Sequence, residues 1–286
     1  MTLSTAPNGD AIKTHPAHAV EIPQLFSLNE RTVIVTGSTG GLGLQVVKAI
    51  LQSGADVIAV DLPAVPDSAN WSELQSFASK AGRDLIYRSC NVADDKSVTA
   101  AFEDASSSAR YPVRGLVNCA GIGFVGDSIG FGLDTARRTV DVNLLGSLIT
   151  AQAAARIVKK QRSSASFVFI ASMSGYVVNK GTPTAIYAAS KAGVQQLTRN
   201  LASEWGAAPD MPEIRVNSVS PGVIRTPMTR GVLAVPEFER IWTEESMLKR
   251  LSEPEDYRGP VVFLLSDASS FVTASDLLCD GGYTKW

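Results

Sequence analysis

The chain has 286 residues, 45% of them hydrophobic and 19% charged, with a formal net charge of -2. It is long enough for a sizeable core, and the balanced charge excludes a broad electrostatic pull on nucleic acid or an acidic membrane. No apolar run approaches the ~20 residues of a membrane span.

Three scattered cysteines, Cys90, Cys119 and Cys279, have neither metal-ligand spacing nor a disulfide framework, so a reducing, cytoplasmic setting is expected. The only histidines, His15 and His18, lie near the N-terminus. That weakens any Ser-His-Asp hydrolase reading and any His-ligated metal site, and no metal is expected.

Residues 1–24 carry Pro7, Pro16 and Pro23 with little periodicity and no leader pattern. They read as a flexible tail before one domain over 25–286. Thr32–Thr36 is short and β-branched, a buried strand. Leu42–Gln52 has apolar residues at helical spacing, and Ala55–Val60 is a second strand ending at Asp61. Further strands are expected from Leu85 to near Cys90, over Gly115–Asn118, over Ser166–Ala171, over Ile214–Val219 and at Leu277–Cys279. One long helix is expected over Asp134–Lys160 and another over Thr184–Gly206. Such alternation predicts an α/β fold of the Rossmann type, a single doubly wound parallel sheet with helices on both faces.

The first strand runs into Thr36-Gly37-Ser38-Thr39-Gly40-Gly41-Leu42-Gly43, with a helix directly after it. Glycines there allow a tight turn and close approach of the backbone to a pyrophosphate, and the helix start favours the anion. Gly37, Thr39, Gly41, Leu42 and Gly43 are the candidate cradle. No Gly-Lys-Ser/Thr follows, so a P-loop is excluded. Asp61, at the end of the second strand, can accept from the adenosine ribose hydroxyls and would repel a 2′-phosphate. Leu62 follows it instead of a base, which favours NAD over NADP.

Tyr187 and Lys191 lie four apart at the start of the second long helix, on one face. A lysine one turn away should favour the phenolate and lower the tyrosine pKa, making the pair a proton donor and acceptor near neutrality.

These features, with Asn118-Cys119-Ala120-Gly121 after the fourth strand and Ser172 after the fifth, resemble the short-chain dehydrogenase/reductase family over about residues 28–286. Asn143 matches the asparagine of that family's catalytic set, and Pro221-Gly222 and Thr226-Pro227 match its nicotinamide-side loop. The resemblance implies hydride transfer between a nicotinamide cofactor and a secondary alcohol or ketone. Tyr187 would move the proton and Ser172 would position the reacting oxygen. Lys191 would hold the nicotinamide ribose, and Asn143 would anchor a water leading to Lys191. Asn91, Val92, Asn118, Ala120, Gly121, Pro221, Gly222, Ile224 and Thr226 would line the cofactor cleft.

Ser172-Met173-Ser174-Gly175, Glu204-Trp205 and Asp280-Gly281-Gly282-Tyr283 look like the fungal polyol dehydrogenase and ketose reductase branch. That branch implies sugar alcohol/ketose substrates of the arabinitol, mannitol or sorbose type. A homotetramer is also expected. The substrate pocket would take Ser174, Gly175, Tyr176, Asn179 and Ile122. Phe124, Ile129 and Trp242 would suit a more apolar ketone, so a ketoreductase for a larger cyclic or aryl ketone of secondary metabolism is the alternative. A catalytically silent cofactor-binding protein is the second alternative. Residues 222–252, with Pro236, Phe238 and Trp242, fit a substrate lid or an ordinary helical hairpin. Ala151, Ala153, Ala154 and Ala155, with Ala189, Ala192 and Ala202, permit close packing on the sheet or between subunits.

Overall fold

Seven short apolar runs become seven strands. They are β1 (Thr32–Thr36), β2 (Asp56–Asp61), β3 (Leu85–Ser89), β4 (Val113–Asn118), β5 (Ala165–Ile170), β6 (Ile214–Pro221) and β7 (Asp276–Cys279). The computed structural model describes residues 20–66 and 69–286. Residues 1–19, with both histidines and most of the expected tail, lie outside the described residues. A helical turn, α1 (Ile22–Leu25), already begins inside the stretch expected as tail.

All strands pair in parallel in the order β3-β2-β1-β4-β5-β6-β7. The chain lays β1, β2 and β3 outward on one side, then returns to place β4 on the other side of β1. A parallel sheet opens a crevice at such a reversal, at the carboxyl ends of the strands. Here the reversal lies between β1 and β4.

Alternation along β1 feeds two cores. Val33 and Val35 pack with α2 (Gly41–Gln52), α3 (Ala69–Lys80) and α10 (Arg258–Leu265). Ile34 faces the opposite layer of α4 (Asp95–Ser107), α6 (Gly146–Gln161) and α7 (Ala185–Trp205). Phe167 and Phe169 are fully buried in that second layer, each contributing about 1.5–3 kcal/mol by leaving water. Ala151, Ala153, Ala154, Ala155 and Ala202 are buried there as well, so these small side chains serve packing within the chain.

The long helix expected over 134–160 is in fact three pieces. α5 (Leu133–Val140) leads into a π-helical turn at Asp141–Leu145, and α6 follows. The Gly146 N–H reaches the Asp141 carbonyl, so one extra residue enters the turn. Such turns recur at functional sites because they redirect a side chain. Here the side chain is Asn143. The last two helices in the 222–252 segment are α8 (Arg230–Leu233) and α9 (Pro236–Glu245), a hairpin over the carboxyl edge of the sheet. Among the described residues no helix is long and apolar enough to cross a membrane.

Candidate active site

The glycine loop sits at the strand-order reversal. Gly37 has φ +61°, and a Cβ on it would lie 2.8 Å from the Ala120 nitrogen after β4. A Cβ on Gly43 would lie 2.0 Å from the Gly37 carbonyl oxygen. Both positions therefore require glycine, one for its left-handed backbone and both for space. Gly40 caps α2 without a side-chain hydrogen bond, which leaves first-turn N–H groups for an anion. The loop also meets the β6 side of the cleft, since a Cβ on Gly41 would lie 3.0 Å from Pro227 Cδ.

Around this loop opens a cleft of about 630 Å³, within the size range of cofactor and substrate sites. Of the expected cofactor residues, Gly37, Gly41, Leu42, Gly43, Asp61, Asn91, Val92, Ala120, Gly121, Pro221, Gly222, Ile224 and Thr226 line it. Ser172, Tyr187, Lys191, Ser174, Asn179 and Trp242 line the same cleft. The cradle and the Tyr187 face thus share one cavity although 150 residues separate Gly37 from Tyr187 in sequence (187 − 37).

Six expected residues are placed differently. Thr39 does not face the cleft. Its N–H and hydroxyl donate to Asp61 Oδ2 at 2.8 and 2.6 Å, while the Leu62 N–H donates to Oδ1 at 2.8 Å. Thr39 therefore holds the carboxylate in place. Asn118 is also turned away, into the layer beneath the cleft. It accepts from Thr36 Oγ1 at 2.6 Å and donates to Ser147 Oγ at 2.8 Å, satisfying a buried amide and joining β1 to β4.

Asn143 is fully buried and its amide is occupied. Oδ1 accepts from the Ile122 N–H at 2.9 Å, and Nδ2 donates to the Ile122 carbonyl at 2.9 Å and to Ser190 Oγ at 3.0 Å. Its side chain braces the Ile122 loop, with both Nδ2 hydrogens committed. A Cβ on Gly121 would lie 3.4 Å from both Asn143 Oδ1 and Lys191 Nζ, so this brace backs directly onto the lysine.

Tyr176 leaves the substrate side altogether. It is 48% exposed, and its hydroxyl donates to Asp276 Oδ2 at 2.9 Å. The 3-10 turn Met173–Gly175 rotates it outward. Gly175 packs against Gln195 and Ile129 is fully exposed; neither lines the cleft.

α7 opens at Ala185, so Tyr187 and Lys191 fall in its first two turns. Lys191 is buried and its Nζ donates to the Ile170 carbonyl at 2.8 Å. Burial pulls its pKa down to about 8. Burial also raises the Tyr187 phenol, while a hydrogen bond shared with Ser172 acts in the opposite sense. The lowering expected from Lys191 is thus not the net result. The ammonium lies 5.9 Å from the ring centroid and points at Ile170, and desolvation disfavours the charged form of each partner.

Ser172, two residues past β5, caps the Met173–Gly175 turn and starts a hydrogen-bonded run along the substrate side. Its hydroxyl donates to Ser174 Oγ at 3.0 Å, and Ser174 donates to Asn179 Oδ1 at 2.9 Å. The same cleft is also lined by Phe124, Val125, Met228, Val232 and Trp242. Trp242 also pins α9 to the far rim, donating from Nε1 to the Lys180 carbonyl at 3.0 Å. Cys90 and Cys119 line the cleft but burial pushes them up to about 11 and about 12, so both stay thiols. Ser190, Gln195 and Asp276 support the site without having been singled out in the sequence. Gln195 repeats the four-residue spacing of Tyr187 and Lys191, a signal that was available.

A family model described as enoyl-(acyl carrier protein) reductase matches residues 37–284. A short chain dehydrogenase/reductase of Aspergillus versicolor, notP', is 46% identical over 268 residues, covering 94% of this chain and 92% of that protein. The ribulose-forming D-arabinitol 2-dehydrogenase of Candida tropicalis is 36% identical over 272 residues, 91% of this chain and 95% of its own. Among solved structures, the NADPH-dependent 3-quinuclidinone reductase of Rhodotorula rubra matches with a TM-score of 0.84 at 29% identity, covering 96% of this chain and 99% of that one. The chain belongs to the short-chain dehydrogenase/reductase family. It is an oxidoreductase that acts on alcohols with a nicotinamide cofactor.

Proposed function

We propose that this enzyme interconverts a sugar alcohol and its ketose with NAD as the preferred cofactor. The observation that carries the reading is the meeting of Ser172, Tyr187 and Lys191 with the glycine cradle in one cleft. The tight turn that requires glycine at Gly37 and Gly43, with the uncapped first turn of α2 beside it, fits a dinucleotide pyrophosphate, and Asp61 at the end of β2 fits the adenosine ribose.

A nicotinamide held there would supply the hydride chemistry, taking hydride up in oxidation and giving it in reduction. Tyr187 takes the proton from the alcohol oxygen, or returns it to that oxygen in reduction. Ser172 hydrogen-bonds the same oxygen and orients it. Lys191, held by the Ile170 carbonyl, would hold the nicotinamide ribose and offers its proton-bearing nitrogen beside Tyr187. Asn143 keeps the Ile122 loop closed behind them. The hydroxyl and amide run of Ser174 and Asn179 supports a polyhydroxylated substrate, as does the likeness to the arabinitol dehydrogenase. Phe124, Val125, Met228 and Trp242 in the cleft lining favour the second reading, a larger cyclic ketone. Residues 222–252 serve as the lid.

One screen tests these assignments together. Polyols and ketoses, set against cyclic and aryl ketones, are assayed with both cofactors in the unmutated enzyme and in Asp61→Ala. The expected result is polyol turnover with NAD. Asp61→Ala should lose about 10- to 100-fold in NAD efficiency, the scale of one charge-assisted hydrogen-bond set, with NADP use unchanged or improved. Equal or better efficiency with NADPH in the unmutated enzyme would defeat the NAD assignment. Activity confined to cyclic ketones would replace the substrate class, and NADH binding without any turnover would point to a silent binding protein.

We also propose a homotetramer in the cytoplasm. Leu145 is 46% exposed and Ala189 is exposed on the outer side of the helical layer, and the three cysteines are free thiols, in keeping with a reducing compartment. A monomeric boundary in sedimentation, or fractionation with membranes, would contradict it.

A further inference from the structure

Behind Ser172 runs a buried polar chain that the proton transfer does not use. Gln195 is only 4% exposed. Its Nε2 donates to the Ser172 carbonyl at 3.1 Å and to Ser220 Oγ at 3.0 Å. Ser220 passes the direction on, donating to Asp276 Oδ1 at 2.9 Å. Ser218 donates to the same oxygen, and Tyr176 caps the other at 2.9 Å. The carboxylate only accepts, so every donor along the chain has one direction available to it.

The amide is held on its other side as well. A Cβ on Gly175 would lie 2.6 Å from Gln195 Oε1, so the turn after Ser172 packs directly on this oxygen. With both Nε2 hydrogens committed and Oε1 against Gly175, the Gln195 amide has one orientation. That orientation sets the Ser172 backbone, and the backbone sets where its hydroxyl stands.

We infer that Gln195 is a positioning residue, which with Ser220 and Asp276 fixes the Ser172 turn against β6 and β7 so that its hydroxyl meets the reacting oxygen. The inference rests on the role proposed above for Ser172. It also gives Tyr176 a task in place of substrate contact, as the outer end of the brace.

The test compares Gln195→Met, Ser172→Ala and the double variant, with the full chain and the best substrate from the screen. Methionine keeps the volume and removes both donors. Gln195→Met should lower kcat by about 10- to 100-fold, the cost of a misplaced catalytic group, and leave the KM for NAD and the NADH dissociation constant unchanged. The double variant should be no worse than Ser172→Ala within about twofold, since residues acting as one unit are non-additive. Multiplied losses in the double variant, or full activity in Gln195→Met, would overturn the inference while leaving the role of Ser172 standing. Full activity in Ser172→Ala would overturn both. Should Gln195→Met fail to fold, Ser220→Ala carries the same comparison, with a several-fold loss expected alone and none added to Ser172→Ala.

Discussion

Tyr187→Phe will bind NADH as tightly as the unmutated enzyme and lose turnover by about 10²–10⁴-fold, the usual contribution of a positioned general acid or base. The variant removes one oxygen and keeps the ring. The ring's packing therefore survives, including its approach to Gly123, where a Cβ would lie 3.3 Å from Cδ2. The cradle at Gly37 and Gly43 and the Lys191 ammonium are untouched. What disappears is the hydroxyl of a residue that lines the cleft beside Ser172. NADH fluorescence titration and initial rates read the two effects separately. Turnover within a factor of two of the unmutated enzyme would refute the assignment of Tyr187 as the proton carrier.

Lys191→Met should move activity and stability in opposite directions. Activity falls because the variant removes the cation beside Tyr187 and the group proposed to hold the nicotinamide ribose. A charge-assisted hydrogen bond contributes about 1.5–3 kcal/mol, so NADH affinity should fall by about 10- to 100-fold, with a further loss in kcat. Stability should rise near pH 7. Burial lowers the Lys191 pKa to about 8 in the fold, against about 10.4 in an unfolded chain. Between those values the unfolded chain binds more protons, so the stability of the unmutated enzyme rises with pH across that window. Below pH about 8 the full cost of burying the ammonium is present, and methionine removes it. Thermal unfolding of the two proteins should show the variant ahead at pH 7, with the gap closing as pH passes from about 8 toward 10. A less stable variant at pH 7, with normal NADH affinity, would contradict both halves.

Local pattern carried most of the scaffold. β-Branched runs such as Thr32–Thr36 have one good solution, a buried parallel strand, and the glycine loop after it has one good use at the end of β1. The Tyr187–Lys191 spacing was legible because a helix converts four residues into one face. The π turn at Asp141–Leu145 was not, because a single i→i+5 step leaves the apolar pattern of the surrounding helices unchanged. Side-chain direction was the other blind spot. Tyr176 follows a 3-10 turn that rotates it to Asp276, 100 residues on. Asn118 looked like cleft lining and instead satisfies Thr36 and Ser147 below it. Thr39, expected in the cradle, donates to Asp61 and holds its carboxylate. In each case the deciding partner is remote in sequence, so no local spacing could show it. The acid–base balance failed for a related reason. The lowering expected from Lys191 is not among the causes that set the Tyr187 shift, of which burial is the largest, and burial is a property of the assembled cleft.

The most direct test is the growth of reduced-nicotinamide absorbance when the purified enzyme meets NAD and a polyol such as D-arabinitol, with Tyr187→Phe run beside it. The account predicts a rise for the unmutated enzyme and almost none for the variant at equal NADH affinity. An equal rise in both, or no rise with any alcohol in an enzyme that still binds NADH, would contradict it.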